Sequence, residues 1–159
     1  MHSALKTLLP AALLIVLNGL SSCGYRVVLN TQKPNASPNA SAPLAFFRDD
    51  FKARLDSARQ SGKPVFLDFY TDWCGPCKVM DRDVFPDRQL ADFFNSNFIC
   101  LKINTEKGEG PALARLYNIE AYPTMIFLDK EGQERKRIIG LTTAGQLKKS
   151  GRTVLRGKK

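Results

Sequence analysis

Val65-Phe66-Leu67-Asp68-Phe69-Tyr70-Thr71-Asp72-Trp73-Cys74-Gly75-Pro76-Cys77-Lys78 is the stretch on which the fold of this 159-residue chain turns. Its first six residues are apolar, aromatic or branched except for Asp68, and Gly62-Lys63-Pro64 precedes them, so they read as a buried strand. From Lys78 onward the pattern reads as a helix. Cys74 then sits at a helix N-terminus, where unpaired backbone N–H groups and the helix dipole favour an anion. That setting lowers a thiol pKa below its free value of about 8.5 and produces a nucleophilic thiolate. Two cysteines with only Gly75-Pro76 between them make a reversible dithiol–disulfide switch.

Other uses of such a pair fit less well. A structural zinc site needs four ligands, usually a second cysteine pair or histidines. The one histidine is His2, in a segment expected to be removed, and Cys100 alone cannot complete a site. A purely structural disulfide across so short a loop would add little stability through loop-closure entropy. No metal, nucleotide or flavin motif is present, so the dithiol itself is expected to be the cofactor.

Upstream, residues 1–22 read as a secretory signal. Lys6 supplies the positive start, and residues 8–17 form an apolar core too short to span a membrane. The signal ends in Leu20-Ser21-Ser22-Cys23, which resembles a bacterial lipobox. That resemblance implies cleavage before Cys23 and lipid on its sulfur and amine, and three acyl chains make a stable anchor. Gly24 rather than aspartate follows, which resembles an outer-membrane destination in enteric bacteria. Residues 23–43 read as a lipid-anchored tether, rich in Asn, Ser and Pro and without an apolar period after Val28. Residues 44–159 remain for one domain of ordinary size.

Downstream, Asp49 and Asp50 are N-cap candidates for a helix carrying Phe51, Leu55 and Ala58, ending near Ser61-Gly62. Pro86-Asp87 restarts a helical pattern, residues 99–103 read as a central strand with Cys100 as a buried free thiol, and residues 111–117 read as a helix in which Leu113 and Leu116 are apolar. Residues 124–128 and 135–139 read as strands joined by Lys130-Glu131-Gly132, and a last helix starts at Thr143. Helices alternating with strands give an α/β layer fold. The net charge is +9, and the last thirty residues, with ten basic and two acidic side chains, hold nearly all of the excess. A solvated strand edge and a frayed basic tail account for it; contact with anionic headgroups or an acidic partner is the sharper reading. Nucleic acid is not expected as a partner.

Residues 46–149 resemble thioredoxins, through Trp73-Cys74-Gly75-Pro76-Cys77-Lys78, Ala121-Tyr122-Pro123-Thr124, and Gly140 before the final helix. The stretch from Lys63 to Cys74 looks closest to the C-terminal periplasmic domain of the transmembrane reductase DsbD and to small exported thioredoxin-like proteins. In keeping with that subgroup, no proline falls between Val79 and Phe85, where cytosolic thioredoxins carry one. The Gly-Pro spacer instead follows thioredoxin. The resemblance implies a thioredoxin fold with a central mixed sheet of four to five strands flanked by helices.

It also implies roles. Cys74 is the exposed nucleophile and Cys77 the buried resolving thiol. Pro76 stiffens the loop between them. Asp68, a carboxylate in an otherwise apolar strand, would accept and donate the proton beneath Cys77, paired with Lys102; a structural ion pair is the alternative. Asp81, a turn after Cys77, would tune that thiol. Tyr122-Pro123 would be a cis peptide whose backbone pairs with an extended substrate segment. Trp73, Gly75, Pro76, Tyr122 and Pro123 would form the substrate-facing rim. The expected activity is that of a membrane-anchored, extracytoplasmic protein-disulfide reductase. Its electrons would come from a DsbD- or CcdA-like transmembrane donor, and its substrates would be exported proteins with oxidised cysteines, apocytochrome c among them. The expected location is the periplasmic side of a bacterial cell envelope, and the expected state a monomer. An oxidase or isomerase, or a binding lipoprotein without catalysis, is the alternative.

Overall fold

A computed structural model describes residues 42–48 and 50–157. The signal, Cys23 and nearly all of the tether lie outside the described residues, as do Asp49, Lys158 and Lys159. Helix α1 (Phe51–Ser61) starts on Asp50, whose side chain accepts the Ala53 N–H, and stops at Gly62, which takes the left-handed conformation that favours glycine. Strand β1 (Val65–Tyr70) follows, then the short α2 (Gly75–Val79), which runs into a π-helical turn (Met80–Val84) closed by the Phe85 N–H on the Met80 carbonyl. Helix α3 (Arg88–Asn97) is capped by Asp87. Strand β2 (Ile99–Asn104), α4 (Gly110–Leu116), β3 (Thr124–Leu128), β4 (Glu134–Ile139) and α5 (Ala144–Arg156) complete the order.

The four strands form one mixed sheet in the order β2-β1-β3-β4. β1 runs parallel to β2 and antiparallel to β3, and β3 and β4 make an antiparallel hairpin. This is the thioredoxin fold, a four-stranded mixed sheet flanked by five helices.

Both faces of the sheet are covered, which is why β1 reads as a nearly continuous apolar run. On one face Phe66, Cys100, Met125 and Phe127 pack with Met80, Phe85, Leu90, Phe94 and Leu147. On the other, Leu67, Phe69, Leu101 and Ile126 pack with Ala58 and Leu113. The two-residue period of a strand sets Asp68 on the same face as Phe66, towards α2 and α3.

Two expectations change. Residues 99–103 are not a central strand: β1 sits between β2 and β3, so β2 is an outer strand of the sheet. Its apolar character survives at the edge because Phe47 covers that edge, donating its N–H to the Cys100 carbonyl at 2.9 Å and accepting from the Lys102 N–H at 2.9 Å. The basic C-terminal region is not frayed through residue 156. It forms α5, opened by a Thr143–Gln146 capping box and seated through buried Leu147, Gly151 and Val154. On α4, Leu113 is buried but Leu116 is 66% exposed, because the seven-residue helix turns only one side to the sheet.

Candidate redox-active site

The loop after β1 brings Cys74 to the N-cap of α2, where its Sγ accepts the Cys77 N–H at 3.1 Å. Pro76, at the start of the helix, has no N–H to leave unpaired there. Cys74 and Cys77 are joined as a disulfide. Both are buried, Cys74 at 3% exposure and Cys77 at 2%. The expectation of an exposed Cys74 is therefore not met in the disulfide form: its sulfur turns inward, to the Cys77 sulfur and amide. The exposed group is the neighbouring Trp73, at 65%.

Trp73 is held from two sides. Its Nε1 donates to Glu106 Oε1 at 2.8 Å, and its ring meets that of Tyr122 edge-on at 5.8 Å. The Tyr122 hydroxyl accepts from Thr105 Oγ1 at 2.9 Å. The Tyr122-Pro123 bond is cis. The β2–α4 loop thus ties the cysteine loop to the proline loop. Gly75 lies exposed beside the pair. The Pro123 carbonyl accepts the Gly140 N–H at 2.8 Å, and Gly140 has φ +84°, a conformation open to glycine.

On the inner side, β1 and β2 align Asp68 with Lys102 in register. Lys102 Nζ donates to Asp68 Oδ2 at 2.5 Å, and both side chains are almost fully buried. Lys102 also donates to Asp81 Oδ1 at 2.6 Å, from the π-helical turn. Asp81 therefore reaches the lysine, and the wider turn rather than a regular α-helical step after Cys77 sets where its carboxylate points. Three rings surround the ammonium, with centroids at 4.6 Å for Tyr70, 5.0 Å for Phe85 and 5.5 Å for Phe46, all within cation–π reach. Burial raises the Asp68 pKa above the ordinary carboxylate range and outweighs the pull of Lys102. Asp68 Oδ1 has no hydrogen-bond partner among the described residues.

Phe46, Phe85, Tyr70, Glu106 and Thr105 were not anticipated as parts of this site. They come from four separate segments and carry no spacing signal; only the register of β1 against β2 could have pointed to Tyr70. Cys100 is buried and free, and burial pushes its thiol pKa well up, which leaves it a poor nucleophile.

A family model described as a thioredoxin-like domain matches residues 51–155. The chain belongs to the thioredoxin-like family. Over 152 residues it is 34% identical to the thiol:disulfide interchange protein DsbD of Yersinia pestis, a match covering 89% of this chain and 23% of that one. Over 109 residues it is 38% identical to the chloroplastic thioredoxin Y2 of Arabidopsis thaliana, covering 67% of this chain and 62% of that one. The crystal structure of the oxidised DsbD C-terminal domain of Neisseria meningitidis matches with a TM-score of 0.58 and 25% identity, over 69% of this chain and 98% of that one. The chain spans about a fifth of the length of the curated DsbD relatives it matches. This thioredoxin-like protein carries the Cys74–Cys77 pair as a disulfide, the kind of group on which thiol–disulfide exchange turns. Among its described residues, no helix is long and apolar enough to cross a membrane.

Proposed function

We propose that this thioredoxin-like protein is a protein-disulfide reductase of the bacterial cell envelope, working on the periplasmic side from a lipid anchor on Cys23. The observation that carries the reading is the Cys74–Cys77 disulfide at the cap of α2, directly after the strand that carries Asp68, a buried carboxylate with one oxygen unpaired among the described residues. In the reduced protein the Cys74 thiolate attacks one sulfur of a substrate disulfide. A Cys74–substrate disulfide forms and the other substrate sulfur leaves as a thiolate. Asp68 then takes the Cys77 proton at Oδ1, and the Cys77 thiolate attacks the Cys74 sulfur. The second substrate sulfur leaves and is protonated by solvent. Two electrons have passed to the substrate, and the protein holds its own disulfide.

Trp73, Gly75, Pro76, Tyr122 and Pro123 act as the rim on which an extended substrate segment lies. The dithiol needs no further cofactor. A transmembrane dithiol donor of DsbD or CcdA type restores the reduced form, its own thiols becoming a disulfide. Exported proteins with oxidised cysteines, apocytochrome c among them, are the recipients. In this reading residues 1–22 are a lipoprotein signal, residues 23–43 a tether and residues 44–159 a monomeric catalytic domain, with the outer membrane as destination in a Gram-negative cell.

Two variants test it. Cys77→Ala should accumulate mixed disulfides with envelope proteins that dissolve on reduction, while Cys74→Ala should trap none; equal capture by both would leave only a binding role. Cys23→Ala should move the protein from the membrane fraction to the soluble fraction. Unchanged fractionation would remove the lipid anchor from the account.

A further inference from the structure

Residues 43–48 precede α1 and lie outside the four-stranded sheet, yet they are fastened at several points. The Asn95 side chain accepts the Ala45 N–H at 2.9 Å and donates to the Pro43 carbonyl at 3.1 Å. Leu44 is buried in the core. The Phe47 backbone pairs with Cys100 and Lys102 on the outer edge of β2. Arg48 Nη1 donates to the Tyr70 hydroxyl at 3.1 Å. Between these fastenings the Phe46 ring packs edge-on against Phe85, centroids 5.0 Å apart, and faces the Lys102 ammonium. The segment therefore holds Lys102 through its backbone at Phe47 and covers its charged end with Phe46.

We propose that residues 43–48 form a strap that is part of the redox site, with Phe46 as a positioning residue that keeps water from the Lys102–Asp68 pair and so sets the pH at which Asp68 exchanges its proton. The proposal rests on the role given to Asp68 above. The other groups facing the pair are Asp81 from the π-helical turn, Arg48 from the strap and the Tyr70 phenol on β1. None of them is altered when Phe46 is shortened. Replacing the ring by a methyl group opens a path for water to a carboxylate that burial disfavours, and hydration favours the charged form. Phe46 transfers no atom and touches no substrate.

The test is a carboxyl-carbon NMR titration of Asp68 in the reduced full-length chain, alongside the pH profile for single-turnover reduction of a small aromatic disulfide. Phe46→Ala should lower the Asp68 midpoint by about half a pH unit or more, and the acid limb of the rate profile should move with it. Phe46→Leu, which keeps apolar cover, should shift it less. Asn95→Ala loosens the strap without touching Lys102, so it should shift the midpoint in the same direction even if Phe46→Ala fails to fold. An unmoved midpoint in a folded Phe46→Ala or Asn95→Ala protein, with only a lower unfolding midpoint, would make the strap purely structural and overturn the proposal. Asp68→Asn separates the two readings: if it leaves the rate profile intact, the role of Asp68 fails and takes the strap's working role with it.

Discussion

Asp68 shows how one residue type in the wrong-looking place carries information. A carboxylate within an apolar strand needs a partner, and the β1–β2 register supplies Lys102. Because burial raises its pKa in the fold, the native chain holds a proton at pH values where the unfolded chain has released it. Its contribution is full below the ordinary carboxylate range, and it is lost as pH rises through the raised folded value. The stability gained in Asp68→Asn relative to the parent should therefore grow with pH across that window, with a slope of at most about 1.4 kcal/mol per pH unit. Urea unfolding at a series of pH values reads it, and a difference independent of pH would contradict it. Lys102→Met should do the opposite at neutral pH, costing about 3 kcal/mol because it strands buried Asp68, and should cost less in acid. Both members of the pair were legible in the sequence. The third, Asp81, was read as a partner of Cys77, because a regular helix was assumed where the chain makes a π-helical turn.

Most elements were legible because their ends carry local chemistry. Asp50, Asp87 and Thr143 cap α1, α3 and α5, and Gly62 ends α1. Replacing Thr143 by Ala should remove the capping box and lower stability by about 1 kcal/mol, seen as a lower urea midpoint with unchanged disulfide chemistry. Gly110 is a different case. The sequence reading did not single it out, but a Cβ there would collide with the Asn104 carbonyl, so the β2–α4 loop closes only over glycine. Gly110→Ala should cost about 1–3 kcal/mol by forcing the backbone apart. The same loop carries Thr105 and Glu106, so the variant should also loosen Trp73, which its fluorescence would report. What periodicity could not supply was the order of strands: an apolar run looks the same whether a neighbouring strand or a short segment such as Phe47 covers its edge.

At the scale of the molecule, the fold gathers parts from distant segments around one small disulfide. β1 delivers Asp68 and leads into Cys74, β2 delivers Lys102, and the Trp73–Tyr122 contact joins the cysteine loop to the cis-proline loop. The thioredoxin-like architecture was legible through the resemblance that the cysteine pair, Tyr122-Pro123 and Gly140 carry. The ring enclosure of Lys102 could not, since Phe46, Tyr70 and Phe85 meet only in three dimensions. The same architecture serves thiols that donate electrons and thiols that accept them, and the poise of the pair decides between the two. The most direct test is the reduction potential of the Cys74–Cys77 pair, measured by equilibration against a thiol buffer of known poise. A value of about −250 mV or lower is predicted for a reductase fed by a membrane dithiol donor. A value of about −150 mV or higher would contradict that direction of electron flow and make the protein a disulfide donor or isomerase.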